Sequence, residues 1–272
     1  MEIEKYLNHS SKIETEDLDW SEANRYGLNE SERFILTYFS DIESQTIIYL
    51  RDLLHTDIVL EPETLAFLTM WNYEEYFHGE ALSRLMAECG SPLEKDRTAR
   101  VRKAAQFSER LEAFVAGLVS KVFRRQFPAV FMTWGALNEI TTLHGYEQLE
   151  DQTQNPILKT LCQRIAKQER RHFAWYFNSA RDRLKASRGT QRLVRLLLKH
   201  FWSPVGAGVK SEEEVARLTR LIFPQEKADL IAREIDQTLS DLPGLSGLSL
   251  MTDYMKKALA RPVFPLTRRL ES

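Results

Sequence analysis

Apolar positions along the chain recur at intervals of three and four, and strict alternation never lasts more than a few residues, so the chain reads as helices rather than strands. Asn29 or Ser31 can cap a first long helix running to about residue 55, with Phe34, Ile35, Tyr38, Phe39, Ile42, Thr46, Ile47 and Leu50 on one face. The stretch "EPETLAFLTMWNYEEYFHGEALSRLMAECG" starts with proline in its first turn and stops at Gly90, the punctuation of a second long helix. A connecting region with shorter helices is predicted over about 93–123. "FPAVFMTWGALNEITTLHGYEQLEDQT" makes a third long helix, and the run from Pro156 makes a fourth, closed at Gly189. Shorter helices follow at "TQRLVRLLLKHFW", 211–221, 224–240 and 250–260. Four helices of about 25 to 30 residues, each about 40 Å long at 1.5 Å per residue, predict an all-α four-helix bundle with additional C-terminal helices. The expected division is an N-terminal extension over 1–28, the bundle over 29–190, and a helical addition over 191–272 packed on it.

Composition narrows the class. With 272 residues, 43% hydrophobic and 28% charged, the chain is long enough for a large core and too apolar for disorder. A net charge of -2 and a pI near 6.3 give no overall pull towards nucleic acid or an anionic membrane, so no nucleic-acid partner is expected. Two cysteines, Cys89 and Cys162, make no disulfide framework and fit a reducing compartment. The first twenty residues lack a basic stretch followed by an apolar one, and no apolar run approaches about 20 residues. A cytoplasmic protein without a secretory signal or transmembrane segment is expected.

The candidate chemistry lies on the bundle helices. "EEYFH" puts Glu75 three residues before His78, and "ERRH" repeats the spacing with Glu169 and His172. The helix before each pair carries one acid near its middle: Glu43, 32 positions before Glu75, and Glu139, 30 positions before Glu169. On a helix, positions three apart lie about 60° apart around the axis, so each Glu and His face the same way. Their stripes are apolar: Leu68, Trp71 and Leu82 flank Glu75, and Cys162, Ile165, Phe173 and Tyr176 flank Glu169. Four carboxylates on buried faces would cost several kcal/mol each without cations or be forced to take up protons, so a positive charge belongs among them. Four carboxylates with two imidazoles are too rich in nitrogen for calcium and lack the thiolates of structural zinc. Two divalent ions would neutralise them, and the known bundle solution with these parts is a dinuclear iron or manganese carboxylate centre. The alternative is a polar bundle core in which the six groups satisfy one another.

Several segments carry a resemblance. "WNYEEYFHGE" is similar to W-x-x-E-E-N-R-H-G, "NEITTLHGYE" to E-x-x-T-x-x-x-H-G, and "NPILKTLCQRIAKQERRHFAWYF" to D-P-x-L-x-x-x-x-x-x-I-A-x-D-E-x-R-H-x-x-x-Y; "IESQTIIYL" places the first acid. Over about 17–190 the chain resembles the soluble acyl-carrier-protein desaturases, within the ferritin-like dimetal-carboxylate proteins. That resemblance implies a ferritin-like bundle with Glu43, Glu75, His78, Glu139, Glu169 and His172 as ligands of two iron ions, or of manganese with iron, and dioxygen as cosubstrate. It implies removal of hydrogen from an unactivated C–H bond of an acyl chain, free or on an acyl-carrier protein. Thr142 would hydrogen-bond oxygen and supply a proton, or bond its own backbone instead. Trp71 would relay electrons or fill the core, and Trp20 is a weaker candidate for an outer part.

Phe77 stands where that family has Arg, Gln168 stands where it has Asp, and His144 sits one place earlier than the pattern. Gln168 makes the outer partner of one histidine neutral, which puts the type of oxidation in doubt. An N-oxygenase, hydroxylase or oxidative decarboxylase would use the same six residues. With no flavin or nucleotide signature, electrons would come from a separate ferredoxin or reductase. A basic entrance for an acidic carrier is sought at Arg188, Arg192, Arg195, Lys199, Lys256, Lys257, Arg268 and Arg269. A homodimer is compatible with this reading. A ferritin-type iron-handling protein and a metal-free helical binding protein are the competing classes.

Overall fold

The computed structural model describes residues 3–103 and 121–261. All regular elements among them are helical, with one isolated bridge between Ala207 and Lys210. In chain order these are α1 (Ile3–Leu7), α2 (Trp20–Tyr26), α3 (Glu30–Glu43), α4 (Thr46–Leu53), a 3-10 turn (Asp57–Leu60) and α5 (Pro62–Glu88). After them come α6 (Phe127–Gln152), α7 (Pro156–Lys185), α8 (Arg188–Phe201), α9 (Glu212–Ile222), α10 (Gln225–Ser240) and α11 (Leu250–Ala260). Residues 97–103 are also helical. The remainder of the predicted 93–123 region falls partly outside the described residues, as do Arg268 and Arg269.

Local sequence accounts for most boundaries. Asn29 caps α3 in a reciprocal capping box with Glu32, and Asn155 caps α7 by accepting from Ile157 and Leu158 ahead of a proline-led first turn. Pro62 opens α5, and Gly90, at φ 71°, follows its C-cap in the left-handed conformation that ends helices. Two boundaries differ from expectation. The first long helix does not run to residue 55 but is interrupted between Glu43 and Thr46. Ser44 Oγ donates to Asp41 O and Thr46 Oγ1 to Glu43 O, both at 2.8 Å, and hydroxyls bonded to nearby carbonyls compete with the helical ladder. The fourth ends at Lys185 rather than Gly189, because Ser187 accepts from Thr190 N and starts a new helix.

The core lies among α3, α5, α6 and α7. The short Thr153–Asn155 link makes α6 and α7 the most extensively packed pair, and α5 packs on both α3 and α7. Gly79 lets α3 approach α5: a Cβ there would lie 3.4 Å from the Glu43 Cβ. α1 and α2 pack on α5, α9 on α3, and α8 and α10 on α6. Among the described residues, no helix is long and apolar enough to cross a membrane.

Candidate metal centre

The periodicity of α5, α6 and α7 turns Glu75, His78, Glu139, Glu169 and His172 inward, and α3 delivers Glu43 on its last turn. All six are buried, and both imidazoles are wholly inaccessible. They form two groups, Glu43, Glu75, His78 and Glu169, and Glu75, Glu139, Glu169 and His172. Within each group the donor atoms lie within 4.8 Å of one another.

Glu75 and Glu169 belong to both groups, and each offers one oxygen to each side. His78 Nδ1 lies 3.3 Å from Glu75 Oε2 and 3.2 Å from Glu169 Oε1. His172 Nδ1 lies 3.1 Å from Glu75 Oε1, 3.4 Å from Glu169 Oε2 and 3.5 Å from Glu139 Oε2. Neighbouring ligands of a small octahedral divalent ion, with bonds of about 2.1 Å, are about 3.0 Å apart, so these separations suit a shared ion. His78 Nδ1 and Glu169 Oε1 have no hydrogen-bond partner although buried and close together. Two such atoms side by side, not aligned to bond each other, point at a common third position. The donor set therefore fits a metal ion in each group.

The far side of each imidazole is engaged. His78 Nε2 lies 2.7 Å from Gln168 Oε1, the neutral partner expected from the sequence. His172 Nε2 lies 2.8 Å from Glu74 Oε2. These contacts leave both Nδ1 atoms facing the carboxylates, as ligating histidines are held. Glu74 is not on the helix surface, one of the two places its rotation from Glu75 allows; it is wholly buried as the outer partner of His172. It also accepts from Arg171 at 2.6 Å, from Tyr6 Oη and from Ser11 N, both at 3.1 Å. Gln168 Nε2 donates to Ser11 O, so one N-terminal segment holds the outer partners of both histidines. Tyr6 and Ser11 lay outside sequence reasoning because no local pattern links them to α5, 63 or more positions away.

Trp71 Nε1 donates to Glu139 Oε1 at 3.0 Å, and Tyr146 Oη donates to Glu43 Oε1 at 2.6 Å. Thr142 is half-buried, one turn beyond Glu139, and makes none of the hydrogen bonds that join the cluster. His144 pairs with Glu147 on the flank of α6, and Arg84 stacks over Trp20; neither joins the cluster. On α8, Arg195 is spent on Gly244 O and Ser246 O, while Arg188, Arg192 and Lys199 are exposed, as are Lys256 and Lys257 on α11.

Without a cation the cluster divides its protons unevenly. Burial, followed by the nearby carboxylates, pushes Glu43 and Glu139 well above the usual range. Burial works the same way on Glu75 and Glu169, but Glu43 beside Glu75, and the imidazoles beside both, outweigh it and hold both low. Burial would lower the imidazoles, yet the carboxylates around His78 raise it to about 10, and Tyr6 with the neighbouring carboxylates raises His172 well above its ordinary value. For Glu74, burial is outweighed by His172, Arg171 and Ser11, so it stays ionised. Compared with known protein families, curated proteins and solved structures, the chain matches none.

Proposed function

We propose that the chain is a dioxygen-dependent dimetal oxidase of the desaturase and oxygenase type, holding two iron ions, or manganese with iron. The observation that carries the reading is the pair of buried donor groups joined through Glu75 and Glu169, each carboxylate offering one oxygen to each side. Glu43 and His78 complete one site, and Glu139 and His172 the other. Bound there, the ions would supply the reduction of dioxygen and the oxidising power to break an unactivated C–H bond, chemistry that no side chain in this chain provides.

The chain's own residues position and shield. Trp71 orients Glu139 through its indole N–H, and Tyr146 orients Glu43 through its hydroxyl. Glu74 and Gln168 fix the ring orientation of the two histidines. Leu68, Leu82, Ile165 and Leu143, all buried, exclude bulk water from the cluster. Thr142 is assigned the delivery of a proton beside Glu139. An apolar crevice lined by Ala136, Ile140, Phe173 and Phe177 runs past the residues next to Glu139 and His172 and is roofed by Ile235 and Leu239 of α10. With a volume of about 10 Å³ it would admit the apolar part of an organic substrate, an acyl chain in the first instance, only if α10 moves away from α6. The substrate could be free or carried on an acyl-carrier protein, with electrons supplied by a separate donor.

Anaerobic loading with ferrous ion should give close to two ions per chain, read by metal analysis, with an antiferromagnetically coupled pair on oxidation, read by Mössbauer spectroscopy. Mass spectrometry of product from candidate acyl substrates then separates loss of two hydrogens from gain of oxygen. Iron well below one per chain would end the metal reading. Repeated ferrous oxidation with mineral formation would replace the oxidase with iron storage.

A further inference from the structure

The interruption after Glu43 contains a side chain that the metal centre does not use. Gln45 is wholly buried, and neither its amide nitrogen nor its amide oxygen has a hydrogen-bond partner. Its backbone is satisfied: the N–H donates to Ile42 O and the carbonyl accepts from Ile48 N. A fully buried amide with both ends unpaired is rare, and such groups call for a ligand or an ordered water. Leucine would fill similar space at no polar cost.

A second unpaired group belongs to a side chain that reaches the same break. Arg102 Nη2 donates to Ser44 O, the carbonyl of the peptide bond that leads into Gln45, while Arg102 Nε is buried without a partner. No carboxylate among the described residues pairs with Arg102. Asp41, after Glu43 itself the nearest acid in sequence to the break, is held by Arg97 in a two-pronged pair and by Lys210. An arginine and an amide that offers both a donor and an acceptor therefore meet at the Ser44–Gln45 peptide unit, just beyond Glu43.

The geometry points to a binding site at the α3–α4 interruption for a carboxylate-bearing small molecule with a neighbouring hydroxyl or ammonium donor. The carboxylate takes the Arg102 Nε–H and one Gln45 amide N–H. The neighbouring donor takes the Gln45 carbonyl. Charge-assisted bonds to guanidinium are the stronger kind, and planar carboxylate recognition is what arginine does best. For the proposed oxidase this adds a substrate class, hydroxy or amino acids whose chain leads towards Glu43. In that respect the inference rests on the metal reading, whereas the anion site itself does not.

The test is calorimetric titration of the full chain with 2-hydroxyoctanoate and with its methyl ester, on protein as purified with its metal content measured, and again after chelation. The free acid should bind at least about tenfold tighter than the ester in both states, the size of one charge-assisted contact. Gln45→Leu and Arg102→Met should each abolish that preference. Gln45→Leu should leave the melting temperature unchanged or raised, because it removes an unpaired buried amide. Equal binding of acid and ester, a preference that survives both substitutions, a lowered melting temperature in Gln45→Leu, or an ordered water on Gln45 with no probe bound would each overturn the assignment. Because binding is read after chelation as well, loss of the metal reading alone leaves the result interpretable.

Discussion

Loading the centre with two divalent ions should expel protons at neutral pH, at least about two and at most four per pair of ions. Before loading, burial and the nearby carboxylates push Glu43 and Glu139 towards the protonated form, and the surrounding carboxylates favour the charged form of His78, at about 10, and of His172. Glu75 and Glu169 are ionised. Two imidazolium charges then balance two carboxylates, and the buried cluster is neutral. After loading, four carboxylates balance two doubly charged ions and both imidazoles are neutral, so the cluster is neutral again. The exchange releases up to two protons from the carboxyls and up to two from the imidazoles, and it avoids burying net charge in either state. The sign follows from the raised groups: they must deprotonate to bind, so apparent affinity for the pair falls as pH drops, beginning with His78 below about 10. Below the ordinary carboxylate range, Glu75 and Glu169 join the competition. Zinc(II) serves as a probe without redox chemistry. Protons are counted in weakly buffered solution at pH 7 with an indicator dye, and checked by calorimetry in buffers of different ionisation enthalpy. Release of fewer than about two protons per pair, or an affinity independent of pH between 6 and 8, would refute the charge balance.

Three further outcomes follow from individual contacts. Glu74→Gln removes the anionic partner of His172 Nε2 at 2.8 Å and should weaken metal binding about 10- to 100-fold in chelator competition; unchanged affinity would deny Glu74 its orienting role. Trp71→Phe keeps most of the ring but leaves Glu139 Oε1 without its donor, so stability in urea unfolding should fall by about 1–3 kcal/mol in metal-free protein. Gly135→Ala places a Cβ about 2.4 Å from the Tyr176 ring, which is fully buried, and should cost about 1–3 kcal/mol in thermal unfolding through displacement of α6 from α7.

The helices were legible because their signals are local. Pro62, Asn155 with Pro156, and the Asn29–Glu32 capping box mark starts, and spacing of three and four marks the buried faces. What marked Glu75 over Glu74 was the E-x-x-H spacing repeated at Glu169 and His172; Glu74, four positions before His78, lies on the same side of the helix and is buried too. The break at Ser44 escaped because no glycine or proline announces it. It depends on two hydroxyls turning back on carbonyls and on Arg102, 58 positions away, reaching Ser44 O. The outer shell was half legible. Gln168 lies within a recognisable segment, whereas Tyr6 and Ser11 act through contacts set only when α1 packs on α5.

The outer shell also makes the two halves of the centre unequal. The spacing of residues is nearly duplicated, yet His172 faces a carboxylate that is itself held by Arg171, Tyr6 and Ser11, and His78 faces a neutral amide. A carboxylate on Nε2 strengthens imidazole as a donor more than an amide does, so an ion at Glu139 and His172 would sit in the more electron-rich half. The difference is anchored by Ser11, whose N–H donates to Glu74 and whose carbonyl accepts from Gln168. That single residue fixes the amide orientation of Gln168: its NH2 is spent on Ser11 O, and its carbonyl is left for His78, which must then present an N–H at Nε2, so that Nδ1 is the nitrogen freed when the imidazole loses its extra proton. The N-terminal segment thus sets the tautomer of one histidine and the charge partner of the other, so removing residues 3–15 should weaken metal binding at both donor groups while α5, α6 and α7 remain folded. Metal affinity by chelator competition, compared with helix content by circular dichroism, separates those effects; unchanged affinity in the truncated chain would show that Ser11 and Tyr6 only cover the site.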